Sequence, residues 1–133
     1  MRVYLCRHAK AAPGEPDEAR ELTGKGRRQA DELGERLAAL PHPPVAVLTS
    51  PLVRARQTAE AIATATGAPL AVERRLAPGA TVDDLREALG DRHGPVATVG
   101  HQPDCSEIAL ALTGLDPGFK PGAMAEIELG PAS

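Results

Sequence analysis

A chain of 133 residues with 42% hydrophobic residues is long enough for one packed core and too short for two ordinary domains, so we expect a single domain over residues 1–133. The net charge of −3 argues against a protein that binds nucleic acids or membrane surfaces. The two cysteines do not make a disulfide framework, and without a signal-peptide pattern or a long apolar run the sequence predicts a cytoplasmic protein.

The first predicted strand begins near the amino terminus and ends in the polar pair Arg7 and His8. A loop rich in proline, glycine and acids follows over residues 11–21. Thr23 is the predicted N-cap of the first helix, whose buried stripe recurs every three or four positions at Ala30, Leu33, Leu37 and Leu40. The continuous apolar run 45–49 then predicts a parallel strand that is covered on both faces.

Strand and helix continue to alternate in the second half. Ser50 and Pro51 predict the start of a second helix, with the serine as N-cap and the proline in the first helical position, and Gly67 is placed to end it. The remaining predicted elements are a strand at 70–72, a short helix capped by Thr81 and Asp84, a buried strand at 95–100, a helix at 103–113 and an edge strand at 123–129. This order predicts an α/β fold, a three-layer sandwich whose mainly parallel sheet has helices on both faces.

Several familiar phosphate and metal sites do not fit the sequence. Gly24-Lys25-Gly26 departs from the Walker loop, and a dinucleotide-binding glycine pattern fails at Gln29. Neither Cys6 nor Cys105 is followed, six positions later, by the arginine of a cysteine phosphatase loop. The histidines include no pair at the spacing of a zinc site and no Cys-x-x-Cys occurs, so we expect no bound metal.

Basic side chains instead lie where predicted strands lead into helices. Arg7 and His8 follow the first strand, Arg54 lies in the first turn of the second helix, and His101 directly follows the strand at 95–100. Each of them alone has an ordinary explanation as a strand end or an exposed helix residue. If the strands are neighbours in a parallel sheet, however, all four side chains meet at its carboxyl edge, beside the positive ends of helices. Two arginines and two imidazoles around one point predict a site for a dianionic tetrahedral group.

Four motifs in a fixed order carry a resemblance to a known family. They are Leu5-Cys6-Arg7-His8-Ala9, Leu22-Thr23-x-x-Gly26, Ser50-Pro51-Leu52-x-Arg54-Ala55-x-Gln57-Thr58-Ala59 and Val99-Gly100-His101-Gln102-Pro103. With them the chain resembles the histidine phosphatase superfamily over nearly its whole length, which implies a phosphoglycerate mutase-like fold. Its short length makes it most similar to the phosphohistidine phosphatase (SixA) branch.

This resemblance implies that His8 is the nucleophile and forms a phosphohistidine enzyme intermediate. Arg7, Arg54 and His101 would hold the phosphoryl oxygens, and Arg20 would add a further contact with a phosphate ion or analogue. The chemistry agrees, because a neutral imidazole is a competent nucleophile and phosphoryl transfer depends on positioning and on positive charge around the oxygens. The resemblance implies no cofactor and no metal.

One departure from the family bears on the substrate. Mutase-like and small-molecule phosphatase members often carry a glutamate shortly after an Arg-Leu pair, as general acid, whereas here Arg75-Leu76 leads to Pro78 at that place. Glu73 precedes the pair, and we expect it in a surface ion pair. The remaining candidates for a proton donor lie in the loop after the first strand; they are Asp17, which we prefer, and its rivals Glu15 and Glu18.

The missing glutamate favours an N-phosphorylated substrate, because a leaving imidazole needs less protonation than a leaving alkoxide. The insertion that covers the substrate in larger members is also absent, which leaves a site that a protein surface can approach. We therefore expect a phosphatase that acts on a phosphohistidine of a partner protein. The alternatives are a phosphomonoesterase for a small metabolite, with Asp17 as acid, and a non-catalytic phosphate-recognition module.

Overall fold

The computed structural model describes residues 1–130, within which five strands and four α-helices alternate in the predicted order. The strands are β1 (Arg2–Arg7), β2 (Ala46–Thr49), β3 (Leu70–Val72), β4 (Val96–Gly100) and β5 (Met124–Glu128). The helices are α1 (Gly24–Ala38), α2 (Val53–Thr66), α3 (Val82–Leu89) and α4 (Asp104–Thr113). None of the helices in this part of the chain has the length and apolar character needed to cross a bilayer.

The strands form one sheet in the order β3-β2-β4-β1-β5. The first four are parallel, and β5 runs antiparallel to β1 along one edge, so the prediction of a mainly parallel sheet is confirmed. Arg7 at the end of β1 is in register with Gly100 at the end of β4, and Thr49 at the end of β2 is in register with Val99. The carboxyl ends of three neighbouring strands therefore lie side by side.

The sheet separates two apolar cores, because successive side chains of a strand point to opposite faces. Val3 and Leu5 of β1 pack into a core with residues of α3 and α4, whereas Tyr4 and Cys6 pack into a core with residues of α1 and α2. Helices thus cover both faces, and the predicted three-layer α/β sandwich is confirmed.

Local sequence signals set most of the helix ends. The Thr23 side chain accepts the backbone N–H of Gly26 at 2.9 Å, as predicted for an N-cap. Gly67 ends α2 with φ of 73°, a conformation that a residue without a Cβ adopts at no steric cost. Thr81 and Asp84 form the predicted capping box at the start of α3.

The start of α2 differs from the prediction. The helix begins at Val53, its N-cap is Leu52, and no side chain caps it, so the placement of Ser50 as N-cap was wrong. The Ser50 hydroxyl accepts the backbone N–H of Leu52 at 3.2 Å instead, and its oxygen lies 2.7 Å from Nε2 of His101. The buried Ser50 side chain therefore lies between the residue before α2 and His101, and it caps no N–H within the helix.

The segment after His8 is held against the first turn of α1. The Lys10 carbonyl accepts the backbone N–H of Thr23 at 3.0 Å. A Cβ added to Gly26 would lie 2.0 Å from the same carbonyl oxygen, so this approach of helix to loop requires glycine. The glycine of the second motif therefore fixes where the chain runs immediately beyond His8.

Candidate active site

A cavity of about 390 Å³ opens at the carboxyl edge of the sheet. Its lining includes every side chain for which the sequence predicted a role: Arg7, His8, Asp17, Arg20, Arg54 and His101. The strand order explains why Arg7, His8, Arg54 and His101 converge. Strands β1, β4 and β2 are consecutive neighbours in the sheet, so the polar residues at or after their carboxyl ends lie at the same edge.

The His8 imidazole is almost completely buried and has one defined tautomer. Its Nδ1 lies 2.6 Å from the carbonyl oxygen of Ala9, and because a carbonyl oxygen is only an acceptor, Nδ1 carries the proton. Burial lowers the pKa of His8 to about 4, with the nearby Arg54 and Arg7 guanidinium groups acting in the same direction. At neutral pH the ring is therefore uncharged and Nε2 offers a lone pair, as a nucleophile requires.

His101 faces His8 across the site, with ring centroids 5.2 Å apart and an angle of 56° between the ring planes. Burial, together with the neighbouring His8 and Arg54, lowers the pKa of His101 to about 3. Both imidazoles are thus neutral at pH 7, so the positive charge around the cavity comes from its arginines and from Lys10.

Three arginines surround the imidazoles and are anchored by different contacts. Arg54, buried at 6% exposure, donates through Nη1 to the Asp17 backbone carbonyl at 2.9 Å and through Nη2 to the Asp17 carboxylate at 3.2 Å. Arg7 donates through Nη1 to the carbonyl of Phe119 at 2.9 Å. Arg20 donates through Nε to the Asp17 carboxylate at 2.9 Å. These anchors hold the guanidinium groups in place before any anion binds.

Unpaired buried nitrogens concentrate at this edge. Within residues 1–130, four buried side-chain polar atoms have no hydrogen-bond partner, and three of them are Nε of Arg7, Nε of Arg54 and Nδ1 of His101. Buried polar atoms are normally paired, so unpaired nitrogens on three side chains that line one cavity point to a ligand with several acceptor atoms. In the same part of the chain no group of three or more histidine, cysteine or acidic side chains is arranged to hold a metal ion. The arginines and unpaired donors of the cavity suit a tetrahedral oxyanion such as phosphate.

Asp17 is the sole carboxylate on the described lining of the cavity. Desolvation acts to raise the pKa of Asp17, but the hydrogen bonds from Arg20 and Arg54 outweigh it and hold the pKa below its ordinary value. Its rivals Glu15 and Glu18 are exposed and do not line the cavity. Glu73 forms a surface ion pair with Arg75 at 3.2 Å, as predicted.

Two supporting residues were not predicted from the sequence. The Thr58 hydroxyl accepts the backbone N–H of Ala9 at 3.0 Å and donates to the Arg54 carbonyl at 2.9 Å, so it joins the segment after His8 to α2. Asp104, at 6% exposure, lies behind the cavity in the first turn of α4. Thr58 was visible as a member of the third motif, whereas Asp104 looks in sequence like any first-turn acid.

Residues 3–88 match the family model for the histidine phosphatase superfamily, branch 1. The chain belongs to the histidine phosphatase superfamily. It is thereby a phosphatase of the histidine-nucleophile type, as the sequence predicted.

Relatives and solved structures resemble this chain over most of its length. A protein of unassigned function from Picosynechococcus sp. is 38% identical over 120 residues, which cover 84% of this chain and 73% of that protein. The protein histidine phosphatase SixA complexed with tungstate has a TM-score of 0.86 and 27% identity, covering 97% of this chain and 88% of the other. A chain assigned as SixA from Agrobacterium tumefaciens has a TM-score of 0.81 and 30% identity, covering 94% and 89%. The phosphoglycerate mutase-like fold is thus shared over almost the whole chain.

Proposed function

We propose that this histidine phosphatase removes the phosphoryl group from a phosphohistidine of a partner protein. Support comes from the SixA structures that it resembles and from the acid–base character of its own cavity. Pro78 lines the cavity where many relatives that act on esters would place a glutamate. A cavity without that acid is suited to substrates whose leaving group needs no proton.

The observation that carries the proposal is the state of Asp17. It is the one carboxylate lining the described cavity, and two arginines hold it in the ionised form. Protonation of the leaving group by a positioned acid typically raises the rate by about 10²–10⁴-fold. An ionised carboxylate cannot protonate a leaving alkoxide. A phosphorylated imidazole whose second nitrogen carries a proton leaves as neutral imidazole, so it avoids this penalty.

In the first step, the Nε2 lone pair of His8 attacks phosphorus and a new P–N bond forms. The P–N bond of the substrate breaks, and its electron pair returns to the departing imidazole of the partner protein. Arg7, Arg54 and His101 hold the three phosphoryl oxygens and stabilise the charge that develops on them. The proton on Nδ1 of His8 stays in its hydrogen bond to Ala9 throughout.

In the second step, water attacks the phosphorus of the phosphorylated His8. The P–N bond breaks, its electron pair returns to Nε2, and dihydrogen phosphate leaves with both protons of the water. His8 is then neutral and protonated on Nδ1, as it was at the start. Arg20 also lines the cavity, where its guanidinium is hydrogen-bonded to Asp17. It would contact the phosphoryl group when this hydrogen bond is weakened or broken.

The test compares three substrates under one set of conditions: a phosphohistidine peptide, p-nitrophenyl phosphate and 3-phosphoglycerate. We expect the peptide to exceed 3-phosphoglycerate in kcat/KM by at least about 10²-fold, the size of the missing acid contribution. The aryl ester should be cleaved at an intermediate rate because its phenolate leaves without protonation. His8→Ala should be inactive on all three substrates. In the wild-type enzyme, phosphate should be found on His8 after a denaturing quench.

The alternatives give different results in the same assay. Preference for 3-phosphoglycerate or another alkyl phosphate would show a metabolite phosphatase. Phosphate binding without turnover of any substrate would show a recognition module. Phosphate recovered on Cys6 or Cys105, or full activity of His8→Ala, would contradict the histidine mechanism itself.

A further inference from the structure

We propose that Ser50 selects the tautomer of His101, holding the ring with its proton on Nδ1 so that this N–H is directed to a phosphoryl oxygen. The inference rests on the proposed function, in which His101 holds an oxygen of the transferred group. It makes Ser50 a positioning residue that acts through His101.

Ser50 lies within hydrogen-bond distance of both His101 and Leu52. Its Oγ lies 2.7 Å from Nε2 of His101 and accepts the backbone N–H of Leu52 at 3.2 Å. Ser50 is completely buried, so its hydroxyl has no alternative partner in solvent. A hydroxyl has one proton to donate, and the Leu52 bond uses the oxygen as acceptor.

Two arrangements of the protons are possible between Ser50 and His101. If Nε2 of His101 carried the proton, the Ser50 hydroxyl proton would have no acceptor within residues 1–130, and Nδ1 would be a second buried atom without a partner. If Ser50 donates to Nε2, the hydroxyl is fully paired, and the single unpaired group is the Nδ1–H. An unpaired polar group in a buried site is destabilising, so the second arrangement is favoured.

The Nδ1-protonated ring of His101 supplies a hydrogen-bond donor to the site. Burial keeps His101 neutral at pH 7, so the ring has one N–H, and its position decides whether His101 offers a donor or a lone pair. A lone pair would repel a phosphoryl oxygen, whereas an N–H is a preorganised donor. The unpaired Nδ1–H is therefore a donor like the unpaired Nε–H groups of Arg7 and Arg54, whose side chains line the same cavity.

Ser50 and Ala9 thus act on the two imidazoles in complementary ways. The Ala9 carbonyl accepts a hydrogen bond from Nδ1–H of His8, which leaves Nε2 of that ring as the nucleophile. The Ser50 hydroxyl donates a hydrogen bond to Nε2 of His101, which leaves Nδ1–H as a donor to the ligand. Two neutral histidines with centroids 5.2 Å apart acquire opposite roles, one nucleophilic and one electrophilic.

The tautomer is measured directly by two-bond ¹H–¹⁵N correlation NMR on protein labelled with ¹⁵N-histidine, with the His101 signals assigned from their absence in His101→Asn. In the wild-type protein Nδ1 should have the shift of a protonated nitrogen and Nε2 that of an unprotonated one. Ser50→Ala should move His101 toward the Nε2-protonated form. The matched control is Thr98→Val, which removes a buried hydroxyl from β4 that has no hydrogen-bond partner in residues 1–130, and it should leave the tautomer unchanged.

Activity on p-nitrophenyl phosphate gives the second readout. Ser50→Ala should lose about 10- to 100-fold in kcat/KM, as expected for impairing one preorganised donor, and Thr98→Val should stay within about twofold of the wild type. An Nε2-protonated His101 in the wild-type protein, or an unchanged tautomer in Ser50→Ala, would overturn the inference. Because the wild-type spectrum decides the first point, the test does not depend on how well Ser50→Ala folds. If the tautomer is as inferred but the phosphohistidine peptide is not hydrolysed, the proposed function fails and the role of Ser50 does not.

Discussion

The carboxylate of Asp104 accepts the backbone N–H of Gly79 at 2.8 Å, and the same oxygen accepts that of Ala80 at 3.1 Å. Asp104 stands at the start of α4, three residues after His101, whereas Gly79 directly follows Pro78 in the cavity wall. One buried side chain therefore ties the wall of the site to the helix that follows His101.

Replacing Asp104 should loosen this wall. Asp104→Ala removes two hydrogen bonds to a charged group, each worth about 1.5–3 kcal/mol, so we expect lower stability and a fall of roughly tenfold in kcat/KM. Asp104→Asn keeps an acceptor oxygen at the same place and should recover most of both losses. Urea unfolding and steady-state kinetics on p-nitrophenyl phosphate measure the two effects, and equal damage by Ala and Asn would show that the charge, and not the acceptor, is required.

Arg54 should matter far more than the arginine two positions further along α2. Arg54→Ala removes a buried guanidinium with an unpaired Nε at the cavity, and we expect kcat/KM to fall by about 10²-fold or more. Arg56 is exposed and does not line the cavity, so Arg56→Ala should have a much smaller effect. Similar losses in the two variants would contradict the assignment of Arg54 to the phosphate site.

Asp17→Asn separates the two roles open to this residue. If Asp17 mainly competes with the substrate for Arg54 and Arg20, removing its charge should lower KM for the phosphohistidine peptide several-fold and leave kcat nearly unchanged. If it is instead the proton donor, kcat on an alkyl phosphate should fall by about 10²-fold while the peptide is little affected. The lowered pKa of Asp17 favours the first result, and kinetics on both substrates decide between them.

The close approach of α1 to the segment after His8 predicts a strong difference between two glycines of the same helix. Gly26→Ala would force a Cβ to within 2.0 Å of the Lys10 carbonyl oxygen, and such overpacking costs about 1–3 kcal/mol or more. A Cβ added to Gly24 would have Nη1 of Arg28, at 3.8 Å, as its nearest contact beyond the helix backbone. Gly24→Ala should therefore be neutral or slightly stabilising. Thermal unfolding of both variants measures the difference, and equal melting temperatures would contradict the described packing.

The two buried histidines should make stability depend on pH. Burial lowers the pKa of His8 to about 4 and that of His101 to about 3, whereas both take up protons near pH 6.5 in the unfolded chain. Their contribution to the free energy of unfolding is therefore complete above about pH 6.5 and is lost as the pH falls toward 4 and 3. Urea unfolding at pH 7.5, 6 and 4.5 should show a smaller loss in His8→Asn than in the wild type, while His93→Asn, which changes an exposed histidine, should follow the wild type.

The sequence alone was sufficient to predict the family, the order of the elements and six of the side chains that line the cavity. Apolar runs and caps act over a few residues, so β1, α1 and α3 were recognisable from local chemistry. Arg7, His8, Arg54 and His101 could be brought together because carboxyl ends of parallel strands meet at one edge, whatever the details of packing.

Tertiary structure alone decided how these side chains are used. Ser50 looks like a helix cap in sequence, and only the adjacency of β2 and β4 places its hydroxyl against His101. Asp17 looks like a free loop acid, yet the fold sets its carboxylate between Arg20 and Arg54 and thereby lowers its pKa. Arg54 and Asp17 are separated by 37 positions in the sequence, and His101 and Ser50 by 51 positions. Hydrogen-bond partners and protonation states depend on such long-range contacts, which the local sequence does not encode.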